Sequence, residues 1–313
     1  MYMNLTPHSP LPTLRILLTG KNGQLGFELQ RSLAVLGSVI AVDREDCDLS
    51  DPDAIRALVA RTQPHVIVNP AAHTAVDKAE SEHELAHAIN TIAPQVLADE
   101  AAKIGALLVH YSTDYVFDGT KDGWYSETDT PNPQSVYGKT KLAGELAIAA
   151  ANPRHLIFRT SWVFGAHGGN FLKTILRLAG EREELKIIAD QHGAPTAASL
   201  LADVTAHAIR QVLQTESVAE SKSCDLYGTY HLVAGGSTTW HGYAQSVVEL
   251  AKSAGVAIKA AQILPIPTSA YPLPAVRPAN SQLSTEKLQA AFGLCMPDWQ
   301  KGVTQVMTLL SNK

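Results

Sequence analysis

Short apolar runs alternate with longer amphipathic segments through the first half of the chain. The runs are typical of buried strands, and the segments, in which apolar residues recur at helical spacing, predict helices. Because parallel strands need helical crossovers, this order predicts an α/β fold with a parallel sheet covered on both faces. The predicted strands are Leu14–Thr19, Val39–Val42, Val66–Asn69, Leu107–Tyr111 and His155–Thr160, and the predicted helices are Leu25–Leu36, Pro52–Arg61, Pro94–Ile104 and Val136–Ala151.

The second half of the chain is less regular, and it predicts a smaller lobe beside the sheet. We expect a doubly wound Rossmann domain from residues 13–165 plus about 197–235, and a C-terminal substrate-binding lobe from about 166–196 plus 236–313, after a loose tail at residues 1–12. The polar stretch Thr215–Asp225 and the proline-rich stretch Leu264–Pro278 are predicted to be surface loops. Further helices are predicted at Phe171–Ala179, Leu200–Leu213 and Trp240–Ala254, and further strands at Lys186–Ala189 and Tyr230–Val233.

A glycine-rich turn, GKNGQLG, follows the first predicted strand and opens the first predicted helix. Gly20 permits a sharp turn, Gly23 lets the backbone approach a diphosphate, and Gly26 lets the helix pack closely on the sheet. The helix N-terminus then offers free N–H groups to the phosphates. Glycines also make ordinary turns, but the strand before and the helix after favour a dinucleotide site, which includes Asn22.

The end of the second predicted strand carries two charges with opposite implications for the cofactor. Asp43 can accept from a ribose 2′-hydroxyl, which favours NADH, whereas Arg44 can pair with a 2′-phosphate, which favours NADPH. Each could instead be a solvent-facing charge at a strand end. Asp48 and Leu49 either border the adenine or lead into the next helix.

Hydroxyl groups cluster where the fourth predicted strand ends, in the segment Ser112–Tyr115. Ligands of open α/β sheets bind outside the carboxyl ends of the strands, so this cluster is placed to touch a substrate. Tyr137 and Lys141 are four residues apart, and therefore one turn apart on one helix face. We expect Tyr137 to give a proton to a ketone oxygen, Lys141 to lower the pKa of that tyrosine, and Thr113 to orient the carbonyl. Alone, such a Tyr–Lys pair is also common on solvated helices.

Composition and charge narrow the classes of partner. The chain has 313 residues, of which 18% are charged, and a net charge of −5 without a basic run, so we expect no nucleic-acid partner. It contains no apolar run long enough to cross a bilayer, so we expect no membrane association. The cysteines Cys47, Cys224 and Cys295 are odd in number and scattered, which predicts neither disulfides nor a metal site, and favours a cytoplasmic location.

Several motifs together resemble those of the extended short-chain dehydrogenase/reductases, over nearly the whole chain. Within that family the chain is similar to the branch that reduces the 4-keto group of dTDP-4-dehydro-L-rhamnose to give dTDP-L-rhamnose. The resemblance implies a nucleotide-sugar substrate and NADPH as the hydride donor, with NADH also accepted. The motifs are GKNGQLG at Gly20–Gly26, NPAAHTAVDKAE at Asn69–Glu80, NTIAP at Asn90–Pro94, YSTDYVFDG at Tyr111–Gly119, YGKTKLAGE at Tyr137–Glu145, RTSWVFG at Arg159–Gly165, DQHGAPT at Asp190–Thr196 and RPANSQLSTEKL at Arg277–Leu288.

The resemblance also implies roles for the matching positions, with Thr113, Tyr137 and Lys141 as the catalytic triad. It makes Trp162 a wall of the sugar pocket, although the residue by itself would indicate a core tryptophan. The guanidinium of Arg277 suits a diphosphate. The implied cofactor-binding residues beyond those above are Gln24, Leu25, Ala71, Ala72, His73 and Thr74, together with Tyr137 and Lys141, and the implied substrate-binding residues are Val76, Thr113, Asp114, Tyr115, Tyr137, Trp162, Arg277 and Asn280.

The magnesium site that some members of the family hold between subunits does not carry over to this chain. Glu28 matches one glutamate ligand, but Ser199 and Leu309 stand where others are expected. Because a hard divalent ion needs several oxygen ligands, we expect no bound metal. Without the metal, the dimer that it would bridge is not expected, and a homodimer of another kind is left open.

Two other functions remain open at this point. An epimerase or dehydratase for another nucleotide sugar would use the same scaffold, but a dehydratase usually adds acidic residues beside the threonine, and here Tyr115 follows Asp114. A non-catalytic, NADP-binding regulatory subunit of the same fold is compatible with the intact triad, although Trp162 weighs against it. NADPH consumption with a keto nucleotide sugar, in the absence of other proteins, discriminates between these functions.

Overall fold

A parallel β-sheet forms the centre of the computed structural model, which describes residues 14–218 and 226–311. Six strands build this sheet, and three two-stranded pairs lie outside it in the described residues. The strands are β1 (Leu14–Leu18), β2 (Gly37–Ala41), β3 (Val66–Asn69), β4 (Leu107–Thr113), β5 (His155–Thr160), β6 (Val163–Phe164), β7 (Glu184–Ile188), β8 (His192–Gly193), β9 (Thr196–Ala197), β10 (Gly228–His231), β11 (Thr238–Thr239) and β12 (Gln262–Ile266).

The strand order of the main sheet is β2–β1–β3–β4–β5–β10, and every neighbouring pair is parallel. The chain leaves β1 for β2 on one side and then crosses to β3 on the other side. The carboxyl ends of β1 and β3 therefore border a topological switch point, where open α/β sheets bind their ligands. The predicted doubly wound Rossmann sheet is confirmed.

Helices cover both faces of the sheet, as the alternation of strands and helices predicts. No helix in residues 14–218 or 226–311 is long and apolar enough to span a membrane. The helices are α1 (Gln24–Ala34), α2 (Pro52–Thr62), α3 (Val76–Ala79), α4 (His83–His87), α5 (Ala93–Ile104), α6 (Val136–Ala151), α7 (Phe171–Glu181), α8 (Ala198–Val218), α9 (Trp240–Ser253), α10 (Glu286–Phe292) and α11 (Trp299–Ser311), and a π-helical turn, Ala88–Ile92, joins α4 to α5.

Side-chain caps begin α2 and α6. The Asp51 carboxylate accepts from the backbone N–H groups of Asp53 and Ala54, at 2.9 and 3.3 Å, and starts α2. The Ser135 hydroxyl accepts from the N–H of Gly138 at 3.1 Å and starts α6. This second cap fixes the first turns of the helix that carries Tyr137 and Lys141.

Alternate residues of each central strand belong to opposite faces of the sheet. Leu18 of β1 packs with Leu29 of α1 in one buried cluster, whereas Leu17 packs with Ile55 of α2 and Leu97 of α5 in another. The strands are buried on both faces because helices cover them on both sides.

A separate apolar cluster joins the later helices. Leu172 of α7, Leu185 of β7, Val247 of α9 and Val303 of α11 are buried together beside the sheet. In contrast, Phe292 of α10 packs in the cluster of the main sheet, although the sequence assigns that stretch to the smaller lobe. The residue limits of the two predicted lobes stay a prediction.

Two stretches predicted as loops are partly regular structure. Within Leu264–Pro278, the first residues belong to β12, which pairs in parallel with β7. Pro265 is tolerated there because β12 has a partner on one side only in this two-stranded sheet, as on an edge strand. Within Thr215–Asp225, α8 continues as far as Val218, and the remainder of this stretch lies outside the described residues, as does the predicted tail at residues 1–12.

Candidate active site

A cavity of about 740 Å³ opens at the carboxyl ends of β1, β3, β4 and β5. It also receives residues from the first turns of α1 and α6, so it lies at the topological switch point. Most of the residues singled out from the sequence line it. These are Gly20, Asn22, Gly23, Gln24, Leu25, Gly26, Asp43, Ala71, Ala72, Thr74, Val76, Thr113, Asp114, Tyr115, Tyr137, Lys141 and Trp162.

The glycine-rich turn forms a cradle at one end of this cavity. Gly20 has a φ of 61°, in the left-handed region that favours glycine. A Cβ on Gly26 would lie 2.0 Å from the Gly20 carbonyl oxygen, so no larger residue fits at that position. Gly23 precedes α1 and offers no side-chain cap, which leaves the first N–H groups of the helix free for an anion. The turn therefore fits the diphosphate of a dinucleotide.

A smaller cavity of about 130 Å³ continues from the first at the ends of β1 and β2. Asp43, Arg44, Asp48 and Leu49 line it as expected for an adenosine site, and so does Ile89, which sequence reasoning missed. Ile89 lies in the π-helical turn, a segment without a strand or helix periodicity that would single it out.

The carboxylate of Asp43 is already engaged. One oxygen accepts from the N–H of Asn22 at 3.0 Å, and the other accepts from the N–H of Arg44 at 2.7 Å. The Arg44 side chain is 77% exposed, and its nearest carboxylate, on Asp48, is 4.0 Å away. Arg44 is thus free to meet a phosphate, while Asp43 holds the turn in shape.

Thr113, at the end of β4, is joined to a buried carboxyl group. Its hydroxyl donates to Asp114 at 2.9 Å, and the other oxygen of Asp114 accepts from the Ser281 hydroxyl. Burial raises the pKa of Asp114 to about 6, although both hydroxyl groups oppose the shift. Ser281 lies far along the chain within the RPANSQLSTEKL motif, and only the folded chain reveals its contact.

Tyr137 stands in the first turn of α6, and its ring meets that of Tyr115 edge to face at 5.5 Å. Burial raises the pKa of Tyr137 to about 12, and the hydrogen bond with Thr113 opposes this shift. Desolvation is the largest influence on the pKa of this phenol, and the expectation that Lys141 lowers the Tyr137 pKa stays a prediction. The phenol is protonated at neutral pH, which is the form that donates a proton.

The ammonium group of Lys141 is buried beneath the cavity. It donates to the Tyr111 carbonyl oxygen at 2.6 Å and lies 3.0 Å from Nε2 of His110. Burial lowers the pKa of Lys141 to about 8, and the Glu145 carboxylate on the next turn opposes this shift. Lys141 therefore carries its charge over most of the neutral range.

Trp162 forms part of the cavity wall and also packs against the smaller lobe. Its ring stacks on Trp240, with centroids 3.7 Å apart, and both tryptophans line the cavity. The φ of Trp162 is 49°, unusual for a residue with a large side chain. Trp240 was missed by sequence reasoning because only its own helix, and not its approach to Trp162, is visible in the sequence.

Three residues expected in the site line neither of these two cavities. His73 contacts Glu82 and Asn90 instead, and Arg277 pairs with Asp77 at 2.6 Å while its guanidinium lies over the Tyr115 ring. The amide nitrogen of Asn280 donates to the carbonyl oxygens of Lys121 and Gly123.

Glu28, Ser199 and Leu309 line one small cavity together, as the family resemblance implies for the magnesium position. Glu28 has Arg31 at 3.8 Å, and Asp203 receives hydrogen bonds from Arg31 and Ser32. Two carboxylates that both pair with the Arg31 guanidinium do not fit a divalent ion. Residues 14–218 and 226–311 contain no group of three or more His, Cys, Asp or Glu side chains that could hold a metal ion.

The fold and the site together define an NAD(P)-dependent oxidoreductase of the extended short-chain dehydrogenase/reductase class, with a diphosphate cradle and a Thr–Tyr–Lys triad on one cavity. A family model described as the RmlD substrate binding domain matches residues 14–312. The chain belongs to this family.

Three similar proteins share the name dTDP-4-dehydrorhamnose reductase. The dTDP-4-dehydrorhamnose reductase of Salmonella typhimurium is 54% identical over 299 residues, which are 94% of this chain and 97% of the relative. A crystal structure of a dTDP-4-dehydrorhamnose reductase from Clostridium acetobutylicum is 38% identical, with a TM-score of 0.85, and the match covers 95% of this chain and 99% of that one. The reductase from Bacillus anthracis, solved in complex with NADP, is 34% identical with a TM-score of 0.85, and the match covers 95% of this chain and 100% of that one.

Proposed function

We propose that the protein reduces the 4-keto group of dTDP-4-dehydro-L-rhamnose to give dTDP-L-rhamnose, with NADPH as the preferred donor. The observation that carries the proposal is the meeting of the glycine cradle, Thr113, Tyr137 and Lys141 on one cavity, in a chain 54% identical to an enzyme of that name. NADPH, when bound, supplies a hydride to the carbonyl carbon.

The side chains divide the remaining work. Thr113 holds the carbonyl oxygen and Tyr137 gives its proton to the oxygen as negative charge develops there. The Lys141 ammonium stabilises the phenolate left behind and holds the nicotinamide ribose. The Gly20–Gly26 turn binds the diphosphate of the cofactor, and Arg44 meets its 2′-phosphate.

The sugar side of the cavity has candidate residues for the substrate. Val76, Asp114 and Tyr115 border the sugar, and Trp162 offers it an apolar face. The Arg277 guanidinium lies over the Tyr115 ring and pairs with Asp77. It reaches the nucleotide diphosphate when it leaves Asp77 and pairs with the substrate phosphates instead. We assign Asn280 to the shape of the neighbouring loop and not to direct substrate contact, since its amide already binds two carbonyl oxygens.

The test is NADPH consumption by the purified protein alone, with dTDP-4-dehydro-L-rhamnose compared with UDP- and GDP-linked keto sugars. We expect turnover with the dTDP sugar, and the same turnover in excess EDTA. NADPH binding without turnover of any keto sugar would contradict the proposal and favour the regulatory subunit. Turnover that EDTA abolishes and magnesium restores would contradict the absence of a metal.

We also propose a cytoplasmic location, which the free thiols of Cys47 and Cys295 support. A homodimer stays a prediction, and sedimentation equilibrium of the purified protein is the measurement that checks it.

A further inference from the structure

A buried histidine contacts the catalytic lysine from inside the sheet. His110 lies in the middle of β4, whose seven residues are all buried, and it is 1% exposed. Its Nε2 atom is 3.0 Å from Nζ of Lys141. His110 lines neither cavity, so it touches neither substrate nor cofactor, and the mechanism above gives it no task.

The histidine belongs to a row of four buried polar side chains that crosses three neighbouring strands and ends on α6. The amide nitrogen of Asn69 on β3 is 3.1 Å from Nδ1 of His110, and the amide oxygen of Asn69 accepts from the Thr19 hydroxyl, at the end of β1, at 2.6 Å. Thr19, Asn69, His110 and Lys141 are each 1% exposed. Since the row ends at a buried hydroxyl, it does not lead a proton to solvent.

Burial and the Lys141 charge keep the His110 imidazole neutral, and with a neutral imidazole two assignments give each contact in this row one donor and one acceptor. If Lys141 is an ammonium, as it is over most of the neutral range, it donates to Nε2 and Nδ1–H donates to Asn69. The nearly isosteric amide of Asn69 is then turned by 180°, so that its oxygen faces His110 and its nitrogen donates to Thr19. If Lys141 is an amine, Nε2–H of His110 donates to Nζ, the Asn69 nitrogen donates to Nδ1, and the Thr19 hydroxyl donates to the Asn69 oxygen, which is the orientation of the amide in this structure. In both assignments the imidazole is neutral, so a single proton separates the two states.

We propose that His110 is a positioning residue of the reductase, which holds Nζ of Lys141 in place and supports the charged form of the lysine. The ammonium then has two fixed acceptors, Nε2 of His110 and the Tyr111 carbonyl oxygen, and its third N–H is left for the cavity. The link to turnover rests on the proposed function, whereas the effect on the charge of Lys141 does not.

The other charged groups around Lys141 contribute little to stabilising its ammonium form, which leaves His110 as the side chain that supports it. Glu145 is paired with Arg159 at 2.6 Å, and both side chains are buried, so its charge is largely balanced. On the cavity side stand Tyr137, protonated at neutral pH, and Asp114 at the end of β4. The pKa of His110 is held well below its usual range by burial and by the Lys141 charge, so the imidazole stays a neutral acceptor.

A pair of isosteric substitutions tests the contact itself. In His110→Gln the amide reaches the position of Nε2, and in His110→Asn it reaches only that of Nδ1, so the first variant keeps the Lys141 contact and the second loses it. His155→Gln is the control, because His155 is also a buried histidine but contacts the Asn152 carbonyl oxygen. If His110→Asn does not fold, His110→Leu replaces it.

The first readout needs no substrate. The charge of Lys141 is titrated by NMR of protein labelled with 13C at the lysine ε-carbon, with its signal assigned by Lys141→Met. We expect the midpoint to fall by about 1 to 2 pH units in His110→Asn, the loss expected for a charge-assisted hydrogen bond. The Lys141 midpoint should stay within about half a pH unit of the wild-type value in His110→Gln and His155→Gln.

The second readout is the pH profile of kcat with NADPH and the keto sugar. We expect the alkaline limb, where Lys141 loses its charge, to move to lower pH in His110→Asn, while His110→Gln keeps the wild-type limb. Equal Lys141 titration midpoints in His110→Gln and His110→Asn would overturn the proposal. A lower melting temperature of His110→Asn with no shift in the Lys141 midpoint would also overturn it. A shifted NMR midpoint in a protein that reduces no keto sugar would leave this inference standing and remove the proposed function instead.

Discussion

Burial, more than neighbouring charge, sets the acid–base behaviour of the residues in the cavity. The pKa of Tyr137 rises to about 12 and that of Lys141 falls to about 8, because each loses water from around its charged form. At neutral pH this gives a protonated phenol beside an ammonium group. That combination suits reduction, in which the tyrosine acts as the acid.

Replacement of Tyr137 by Phe removes the proton donor and leaves the ring in place. We expect kcat to fall by about 10² to 10⁴-fold, the usual contribution of general acid catalysis, with little change in NADPH affinity. Steady-state kinetics and cofactor titration measure the two effects. Tyr243→Phe is the matched control, since it removes a buried hydroxyl that has no hydrogen-bond partner among the described residues. Near wild-type turnover in Tyr137→Phe would refute its assignment.

The choice between NADPH and NADH depends on Arg44, because both oxygens of Asp43 accept backbone N–H groups. Arg44→Ala should raise the KM for NADPH by about tenfold, the loss of one charge-assisted contact, and leave that for NADH nearly unchanged. Arg31→Ala is the control, since Arg31 is an exposed arginine that pairs with Asp203 away from the adenosine cavity. Equal effects on the two cofactors would mean that Arg44 does not contact the phosphate.

At the scale of single residues, the sequence predicts the parts of the site that follow local rules. The glycine spacing and the Tyr137–Lys141 pair are visible because one turn or one helix face creates them. Ser281, Trp240 and Ile89 escape prediction, because contacts across the fold bring Ser281 to Asp114 and the other two to the cavities. A histidine inside an apolar strand, as at His110, is a signal that the sequence does offer.

At the scale of elements, the segment 165–170, here called the strap, crosses the first turn of α1. The His167 ring stacks on Phe27 with centroids 4.3 Å apart, and its Nε2 lies 2.9 Å from the Asn22 carbonyl oxygen. The amide of Asn170 donates to the Gln24 side chain at 2.9 Å. The strap therefore covers the glycine-rich turn from the solvent side of the cofactor cradle.

Loosening the strap should weaken cofactor binding and leave the chemistry unchanged. We expect His167→Ala to raise the Kd for NADPH by about three- to tenfold, from the loss of one hydrogen bond and one stacking contact, with kcat nearly constant. Isothermal titration calorimetry measures the first quantity and saturating kinetics the second. His241→Ala is the control, because His241 also contacts a backbone carbonyl, that of Ile263, outside both cavities. An unchanged Kd would show that the strap does not act on the cofactor.

The longer elements of the first half of the chain are predictable because the strands are apolar and the helices have a cap or an amphipathic periodicity. The sequence misses α3, α4 and the π-helical turn, which are short and have no side-chain cap. The other errors lie in the second half, where pairing is non-local. β12 forms because Ile263 and its neighbours pair with β7, about 78 residues earlier in the chain, although Pro265 and the prolines that follow the strand indicate a loop. The end of α8 was placed too early because its last turns are polar.

At the scale of the whole molecule, Asp114 couples stability to pH. Its folded pKa of about 6 lies above the usual value of 3.8, so the folded state holds this proton more tightly than the unfolded state. The stabilisation is complete below pH ~4 and is lost as the pH rises through about 6. Over that window the loss is about 3 kcal/mol, for a fully buried group.

Asp114→Asn removes this titration. We expect its stability relative to the wild type to increase by up to about 3 kcal/mol between pH 4 and 7, measured by urea unfolding. Asp129→Asn is the control of opposite sign, because the Lys121 hydrogen bond lowers the pKa of Asp129 to about 2. The stabilisation from Asp129 is lost only as the pH falls through that value. The difference in unfolding free energy between Asp129→Asn and the wild type should therefore stay constant between pH 4 and 7. If the difference in unfolding free energy between Asp114→Asn and the wild type were also independent of pH, the raised pKa of the buried Asp114 carboxyl group would be contradicted.

The stacked indoles of Trp162 and Trp240 give the site an optical property. Rings 3.7 Å apart and 16° from parallel couple their electronic transitions, so the pair should produce a bisignate band in circular dichroism. Trp162→Phe should abolish this band, whereas replacement of Trp124, which is 41% exposed, should not. Because both indoles line the cavity, a ligand that enters between them and Tyr137 will change the band amplitude. Occupancy of the sugar side can then be followed without a label, and without turnover.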